Sequence, residues 1–131
     1  MGFLDKVMRT APAATTTRAR GNAAEDAALV HLQQHGLRLL ERNYRTPGRG
    51  GGEIDLIMRE SDGTVVFVEV RLRRSAAFGG AGASIQINKQ KRIVFAARHY
   101  LHGLRALPPC RFDVVLVEQT IHWIRSAFDA S

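Results

Sequence analysis

The chain has 131 residues, a length that suits one domain with a single hydrophobic core, and its short apolar runs predict no transmembrane helix. The formal charge of +7, from 19 basic residues (16 of them arginine) and 12 acidic residues, is compatible with nucleic-acid binding, with solubility alone or with association with acidic surfaces. The single cysteine, Cys110, excludes an internal disulfide and a cysteine-rich zinc site, and no apolar secretory segment is visible, so we expect a cytoplasmic protein.

The N-terminal residues differ in character from the rest of the chain. Residues 1–19 contain a proline and an Ala/Thr run without a clear hydrophobic period. We therefore predict a flexible, basic N-terminal tail, followed by a single domain at 20–131.

The first helix is predicted between Asn22, a suitable N-cap, and Gly36, a suitable residue to end it. Its apolar stripe consists of Ala28, Leu29 and Leu32. Glu25 falls on the same face at the helical period. A carboxylate on an apolar stripe requires a partner or a function.

The remaining elements predict an α/β fold. Strands are expected at 37–44, 53–59, 64–72, 111–118 and 120–124, and a second helix at 88–104. The buried face of this second helix is predicted to contain Ile93, Ala97, Tyr100, Leu101 and Leu104. Glycine-rich loops are predicted at 46–52 and 73–84.

The second and third strands carry one carboxylate each and are joined by a turn at 61–63. Asp55 lies between Ile54 and Leu56, and Glu69 lies between Val68 and Val70. Because apolar residues flank both carboxylates, we expect both strands to be central and covered on both faces. Asp55 and Glu69 should therefore be at least partly buried.

The register of this hairpin decides whether the two carboxylates meet. A three-residue loop at 61–63 pairs Asp55 with Glu69, whereas a two-residue loop at 62–63 pairs Glu69 with Leu56. We prefer the first register, because it keeps the polar residues on one face.

Two arrangements would relieve the repulsion between opposed, buried carboxylates. A divalent cation such as Mg²⁺ or Mn²⁺ would bind their oxygens, and Glu25 would supply a third carboxylate from the helix. Alternatively, Arg71 or another arginine would neutralise the pair in a plain ion-pair network. Spacing alone leaves both arrangements open.

A wider set of residues resembles known families. Glu25, Gly52-Glu53-Ile54-Asp55 and Glu69-Val70-Arg71 are similar to the PD-(D/E)XK nuclease pattern. More closely, the chain resembles the YraN family of uncharacterised bacterial proteins. The residues that carry this resemblance are Gly21 to Glu25, Arg42-Asn43-Tyr44-Arg45, Gly52 to Ile57, Val66 to Arg71, Lys89-Gln90 and Arg111-Phe112-Asp113-Val114-Val115.

The resemblance implies a restriction-endonuclease-like core of mixed sheet with flanking helices, related to archaeal Holliday-junction resolvases. It implies cleavage of DNA phosphodiesters with Mg²⁺ or Mn²⁺, and branched DNA is one expected substrate. The implied catalytic residues are Glu25, Asp55, Glu69 and Arg71, and the implied metal ligands are Asp55, Glu69 and Glu25. A homodimer follows by analogy only, because resolvases act on two-fold symmetric junctions.

Two residues depart from the nuclease pattern. Ile54 precedes Asp55 where the motif's name has proline, a position that is loose across the superfamily. The last motif position is usually lysine, and this chain has Arg71. Arginine does not lose its proton in practice, so Arg71 could clamp a phosphate but could not act as the general base.

Other polar residues near the hairpin are candidate nucleic-acid contacts. They are Arg73 and Arg74, which follow the third strand, and Lys89 and Gln90, which open the second helix. The alternative for the arginines is a solvated loop, and for the helix residues it is ordinary capping. Asp113 is predicted to form a structural ion pair, with a supporting role behind the site as the alternative, and His31 and His35 are predicted to be solvated helix residues.

Three functions therefore remain open from the sequence. The first is a metal-dependent deoxyribonuclease. The second is a nucleic-acid-binding module that has lost catalysis, which Arg71 favours. The third is an interaction protein whose acidic cluster is structural.

Overall fold

The computed structural model describes residues 17–72 and 85–130, with side chains from residue 21 onward. The elements are α1 Thr17–Gln34, β1 Arg38–Arg45, β2 Glu53–Arg59, β3 Val65–Leu72, α2 Ile87–His102, β4 Cys110–Val117 and β5 Ile121–Phe128. Neither helix in this part of the chain is long and apolar enough to cross a membrane.

The five strands form one mixed sheet in the order β1-β2-β3-β4-β5. The β3–β4 pair is parallel, and the other three pairs are antiparallel. Parallel neighbours require a crossover connection, and α2 lies in the connection between β3 and β4. The prediction of an α/β fold with a mixed central sheet and flanking helices is confirmed at this level.

Helices cover the sheet on both faces, so β2 and β3 are buried central strands as predicted. The α1 face is packed by Ala24, Ala28, Leu32, Leu56, Met58, Val66, Val68 and Val115. The α2 face is packed by Ile57, Val65, Phe67, Ile93, Ala96, Ala97 and Phe112. Alternate residues of β3 thus enter opposite cores, which fixes the direction of every side chain on this strand.

The predicted register of the β2–β3 hairpin is confirmed where the two strands pair. Leu56 pairs with Val68, and the amide of Glu60 donates to the carbonyl oxygen of Thr64, which closes a three-residue loop. Gly63 has a φ of +94°, a left-handed conformation that glycine adopts without a steric penalty.

The first helix begins earlier than the sequence analysis predicted. It starts at Thr17 instead of after an N-cap at Asn22. Alanine and arginine are strong helix formers, so the segment before Gly21 extends the helix without a new stop signal. Residues 17–19 therefore belong to α1, and the rest of the predicted tail, 1–16, lies outside the described residues.

Two further boundaries differ from prediction at the C-terminal side. Helix α2 ends at His102, so Leu104 lies beyond it and is exposed instead of buried. Strand β5 continues to Phe128 instead of ending at Ile124, because Phe128 pairs with and stacks on Phe112. A register shift accommodates this continuation past the polar residues of β5.

Candidate active site

Strands β2 and β3 stop pairing at Asp55. The last paired residues are Leu56 and Val68. Asp55 and Glu69 were predicted to be opposite, but they are not paired by backbone hydrogen bonds. Instead the backbone N–H of Val70 donates a hydrogen bond to Oδ2 of Asp55 at 2.8 Å. The side chain of Asp55 therefore satisfies the backbone of the neighbouring strand where the two strands separate.

The alternation of β2 also breaks at this residue. Ile54 packs in the α2-side core, whereas Leu56 packs in the α1-side core, although regular alternation would place both on one face. On β1, Asn43 faces this break and has a φ of 55°. Asparagine tolerates this left-handed conformation better than most residues, so Asn43 supports the matching bend of β1.

The beginning of β2 lies unusually close to helix α2. A Cβ atom at Gly52 would lie 1.9 Å from the backbone oxygen of Arg92 and 3.0 Å from Cβ of Ala96. Only glycine allows the two backbones to approach this closely. Gly52 thus sets the position of β2 three residues before Asp55.

Glu69 lies on the α2 face of β3 and is 9% exposed. Its Oε2 atom lies 3.5 Å from Nζ of Lys89, which is the third residue of α2 and is half exposed. The sequence analysis treated Lys89 as a nucleic-acid contact and did not place it against Glu69. The two residues are distant in the sequence, so only the crossover through α2 brings this ammonium group to the carboxylate.

Burial and the charge of Glu69 raise the pKa of Asp55 from its ordinary value near 3.8 to about 7. Burial is the larger cause, because it removes water that would solvate the ionised carboxylate. The hydrogen bond from Val70 and the charge of Lys89 act in the opposite direction. Two neighbouring carboxylates that cannot both ionise freely are a common feature of functional sites, although structural networks also produce them.

Glu25 approaches the same region from helix α1, as the sequence analysis predicted. Its side chain is 13% exposed, and its Oε1 atom lies 3.3 Å from Nε of Arg42, which also binds Asp26. Burial and the nearby charge of Asp55 raise the pKa of Glu25, and Arg42 opposes this shift. The charge of Asp55 thus acts on Glu25 of α1, and the charge of Glu69 of β3 acts on Asp55.

Two clefts open beside these carboxylates. A cleft of about 670 Å³ is lined by Glu69, Val70, Arg71, Leu72, Ile85, Gln86 and Lys89. A second cleft of about 630 Å³ is lined by Gly21, Asn22, Glu25, Asn43, Arg45 and Glu53. Arg71 and Lys89 therefore share a cleft with Glu69, as side chains of a phosphate-binding site would.

Gln90, another predicted contact, does not line this cleft. The side-chain amide of Gln90 donates to the carbonyl oxygen of Ile85 at 2.7 Å, and Gln90 lines a different cleft with Phe95 and Arg98. Its role near the start of α2 is therefore local and structural. Arg73 and Arg74 lie outside the described residues.

The carboxylates do not form a closed metal-binding cage. Within residues 17–72 and 85–130, no three or more histidine, cysteine, aspartate or glutamate side chains are grouped so that they could hold a metal ion. Asp55 and Glu69 are near enough to each other for the charge of Glu69 to raise the pKa of Asp55. Magnesium sites often use one or two protein carboxylates and leave the other positions to water and substrate phosphate.

A second buried acid is structural, as predicted. Asp113 is fully buried and accepts hydrogen bonds from Nε of Arg111, Nε1 of Trp123 and the backbone amide of Ser126, at 2.9–3.1 Å. Arg111 also contacts Glu60. This network joins β4 to β5 and to the residue that follows β2, and both carboxylate oxygens of Asp113 accept hydrogen bonds within it.

Comparison with known proteins places the chain in a family of bacterial proteins. The model of the family described as "Uncharacterised protein family UPF0102" matches residues 24–117. A UPF0102 protein of Acidovorax sp. (strain JS42) is 64% identical over 132 residues, covering 100% of both chains. Another from Albidiferax ferrireducens is 67% identical over 116 residues, covering 88% of this chain and 91% of the relative. These matches confirm the family-level resemblance inferred from the sequence, and the chain belongs to the UPF0102 family.

Proposed function

We propose that this protein is a divalent-metal-dependent endonuclease that hydrolyses DNA phosphodiesters. The observation that carries the proposal is the position of Asp55. Its carboxylate accepts a hydrogen bond from the backbone amide of Val70 where β2 and β3 separate, and the charge of Glu69 on the neighbouring strand raises its pKa. A plain structural salt bridge would not require two acids on adjacent strands.

The residues present fit a hard divalent cation. Asp55 and Glu69 offer carboxylate oxygens, and the cost of ionising both acids side by side would be removed by Mg²⁺ or Mn²⁺ bound between them. When bound, such an ion supplies an activated water and stabilises charge on the phosphate. Glu25 is held by Arg42 and adds negative potential near Asp55, but the described residues do not group it with Asp55 and Glu69 as a third ligand.

Two cationic side chains occupy the same cleft as Glu69 and suit an anionic substrate. Arg71 lies two residues after Glu69 on the same face of β3, and Lys89 reaches Glu69 from α2. Arg71 stands where the nuclease pattern has lysine. We infer that Lys89 supplies the ammonium group that this position lacks and that Arg71 binds a phosphate oxygen.

The topology supports the same proposal at the level of the fold. An antiparallel hairpin carrying the two acids, a helical crossover and a parallel fourth strand are the parts expected of a restriction-endonuclease-like core. This is an argument by resemblance, so the chemistry has to be tested at the residues themselves.

The test is a cleavage assay on labelled duplex, single-stranded and four-way-junction DNA, with Mg²⁺, Mn²⁺ or EDTA. We expect the wild type to cut at least one of these substrates only when a divalent ion is present. Asp55→Asn should lower the cleavage rate by at least about a hundredfold, because the ion loses a charged ligand. Failure of the wild type on all three substrates would reject catalysis on these DNA forms.

A second candidate function is a nucleic-acid-binding module without catalysis. Arg71 at the lysine position favours it, because arginine keeps its proton and cannot act as the general base. It predicts DNA affinity that falls steeply with salt, and no cleavage. Arg71→Lys separates the two candidates, since it restores the lysine of the nuclease pattern. A nuclease should keep its cleavage activity in this variant, whereas a non-catalytic module should still not cleave DNA.

A further inference from the structure

Two histidines lie close together at the C-terminal end of α1. His31 is in the last turn of the helix and is half-buried, and His35 follows the helix and is exposed. Their ring centroids are 4.4 Å apart, with an angle of 37° between the planes. The sequence analysis predicted that both histidines are solvated; His35 is exposed as predicted, whereas His31 is half-buried, and both rings lie edge-on to the ring of Trp123.

The hydrogen bonding of His35 fixes which nitrogen faces outward. Its Nδ1 atom lies 2.8 Å from the carbonyl oxygen of His31, which can only accept, so Nδ1 carries the proton. In the neutral ring, the lone pair is then on Nε2. Histidines that bind metals usually donate their other ring N–H to a carbonyl or carboxylate in this way.

The surroundings of His31 favour its neutral imidazole, which is the form that binds metals. Burial, assisted by the neighbouring His35, lowers the pKa of His31. A lower pKa keeps the imidazole neutral at pH 7, and only the neutral ring has a lone pair to donate. The C-terminal end of a helix also carries partial negative charge, which favours a cation there.

The spacing of the two rings suits a shared ion. Imidazole nitrogens about 2.0–2.1 Å from one metal ion place the two ring centres roughly 4.5–5 Å apart. The observed distance between the ring centroids, 4.4 Å, is close to this range. Trp123, which lies beside both histidines, carries a cation on its ring, since Cζ of Arg125 is 4.0 Å from the ring centroid.

We propose that His31 and His35 form a two-histidine site for a divalent transition-metal ion of the Zn²⁺, Ni²⁺ or Cu²⁺ class, with water at the remaining positions. Imidazole selects such ions, whereas the carboxylates Asp55 and Glu69 suit Mg²⁺ or Mn²⁺. The site is independent of the proposed nuclease activity. It would cross-link the last turn of α1 beside the ring of Trp123.

The test uses the full-length chain without a histidine tag, and Trp123, the single tryptophan of the chain, reports binding. Its ring centroid lies 6.2 Å from that of His31 and 5.6 Å from that of His35, so bound Ni²⁺ or Cu²⁺ should quench its fluorescence. We expect saturable quenching in the wild type that EDTA reverses. His31→Gln and His35→Gln should each raise the half-saturating Ni²⁺ concentration by at least about tenfold, since even the loss of an outer hydrogen-bond partner has this effect.

The matched control is His102→Gln, at the exposed end of α2, which should titrate as the wild type does. Circular dichroism verifies that each variant is folded, and calorimetry with Zn²⁺ measures binding without the fluorescence signal. His35 is exposed, so its variant should fold even if the His31 variant does not. The absence of saturable quenching in the wild type, or equal quenching in His35→Gln, would overturn the proposal.

Discussion

The backbone amide of Val70 on β3 donates to Oδ2 of Asp55 on β2 at 2.8 Å, just beyond the last paired residues of the hairpin. This contact explains how the sheet ends its pairing without leaving the Val70 amide unsatisfied. It also fixes the Asp55 carboxylate near Glu69. The geometry of the candidate site is thus a consequence of where the β2–β3 ladder stops.

The raised pKa of Asp55 predicts an unusual pH dependence of folding stability. The unfolded chain releases the Asp55 proton near pH 3.8, and the folded chain near pH 7. As the pH rises between these values, the unfolded state is increasingly favoured, by up to about 4 kcal/mol above pH 7. Asp55→Asn lacks this titration and should keep the Val70 hydrogen bond through its side-chain oxygen.

Urea unfolding at pH 5 and pH 8 checks this prediction. The variant should gain stability relative to the wild type at pH 8, and the difference should shrink at pH 5. The comparison cancels titrating groups that lie far from Asp55, because both proteins share them, whereas Glu69 and Glu25 interact with Asp55 and contribute to the measured difference. An identical pH dependence in the two proteins would mean that Asp55 has an ordinary pKa in the fold.

The position of Lys89 predicts a specific effect on DNA binding. Lys89→Met removes the cation beside Glu69 and should weaken DNA binding and lower the salt slope of log K by about one. Lys91→Met is the matched control, because Lys91 is exposed on the same helix but lines another cleft. Fluorescence anisotropy across a salt series measures both. Equal losses of DNA affinity in the two variants would indicate general charge attraction instead of a specific phosphate-binding site at Lys89.

The Asp113 network predicts a large loss of stability unrelated to the candidate site. Asp113→Ala removes a fully buried acceptor and leaves Arg111 without its inner partner, which should lower the free energy of unfolding by about 3–5 kcal/mol. Asp26→Ala is the control, since the 66%-exposed Asp26 side chain pairs with Arg42 near solvent and should cost at most about 1 kcal/mol. Chemical denaturation compares the two variants. Similar losses would contradict the description of Asp113 as a central structural acid.

Two glycines predict opposite effects of the same substitution. Gly52→Ala places a Cβ atom 1.9 Å from the backbone oxygen of Arg92, so β2 or α2 must move and stability should fall. Gly21→Ala meets no atom within 4 Å inside α1 and should stabilise the protein by about 0.5–1 kcal/mol. Thermal unfolding shows whether each substitution raises or lowers the stability of the fold. A tolerated Gly52→Ala would mean that β2 and α2 are not closely packed there.

The sequence allowed much of the hairpin to be predicted, because alternation and a three-residue turn determine register locally. Glu53–Arg59 was predicted with the correct bounds, and Glu25 was placed correctly by helical period. Such features depend on residues that are close in the chain.

Other features depend on contacts between distant elements and were not predictable in the same way. The approach of Lys89 to Glu69 requires the crossover geometry, and the end of pairing at Asp55 requires knowledge of the Val70 amide. Asn43 was a weak signal, since asparagine in a predicted strand suggests a left-handed residue but does not locate it opposite Asp55. The packing of His31 on Trp123 likewise depends on where β5 meets α1.

The most direct test of the proposed metal site is titration calorimetry of Mn²⁺ binding to wild type, Asp55→Asn and Glu69→Gln, each alone and with duplex DNA present. We predict binding to the wild type that weakens by at least about tenfold in both variants, because each loses one of two charged ligands. DNA should strengthen wild-type binding by adding phosphate oxygens. Equal Mn²⁺ binding in all three proteins, or none in the wild type under either condition, would contradict a divalent-ion site at Asp55 and Glu69.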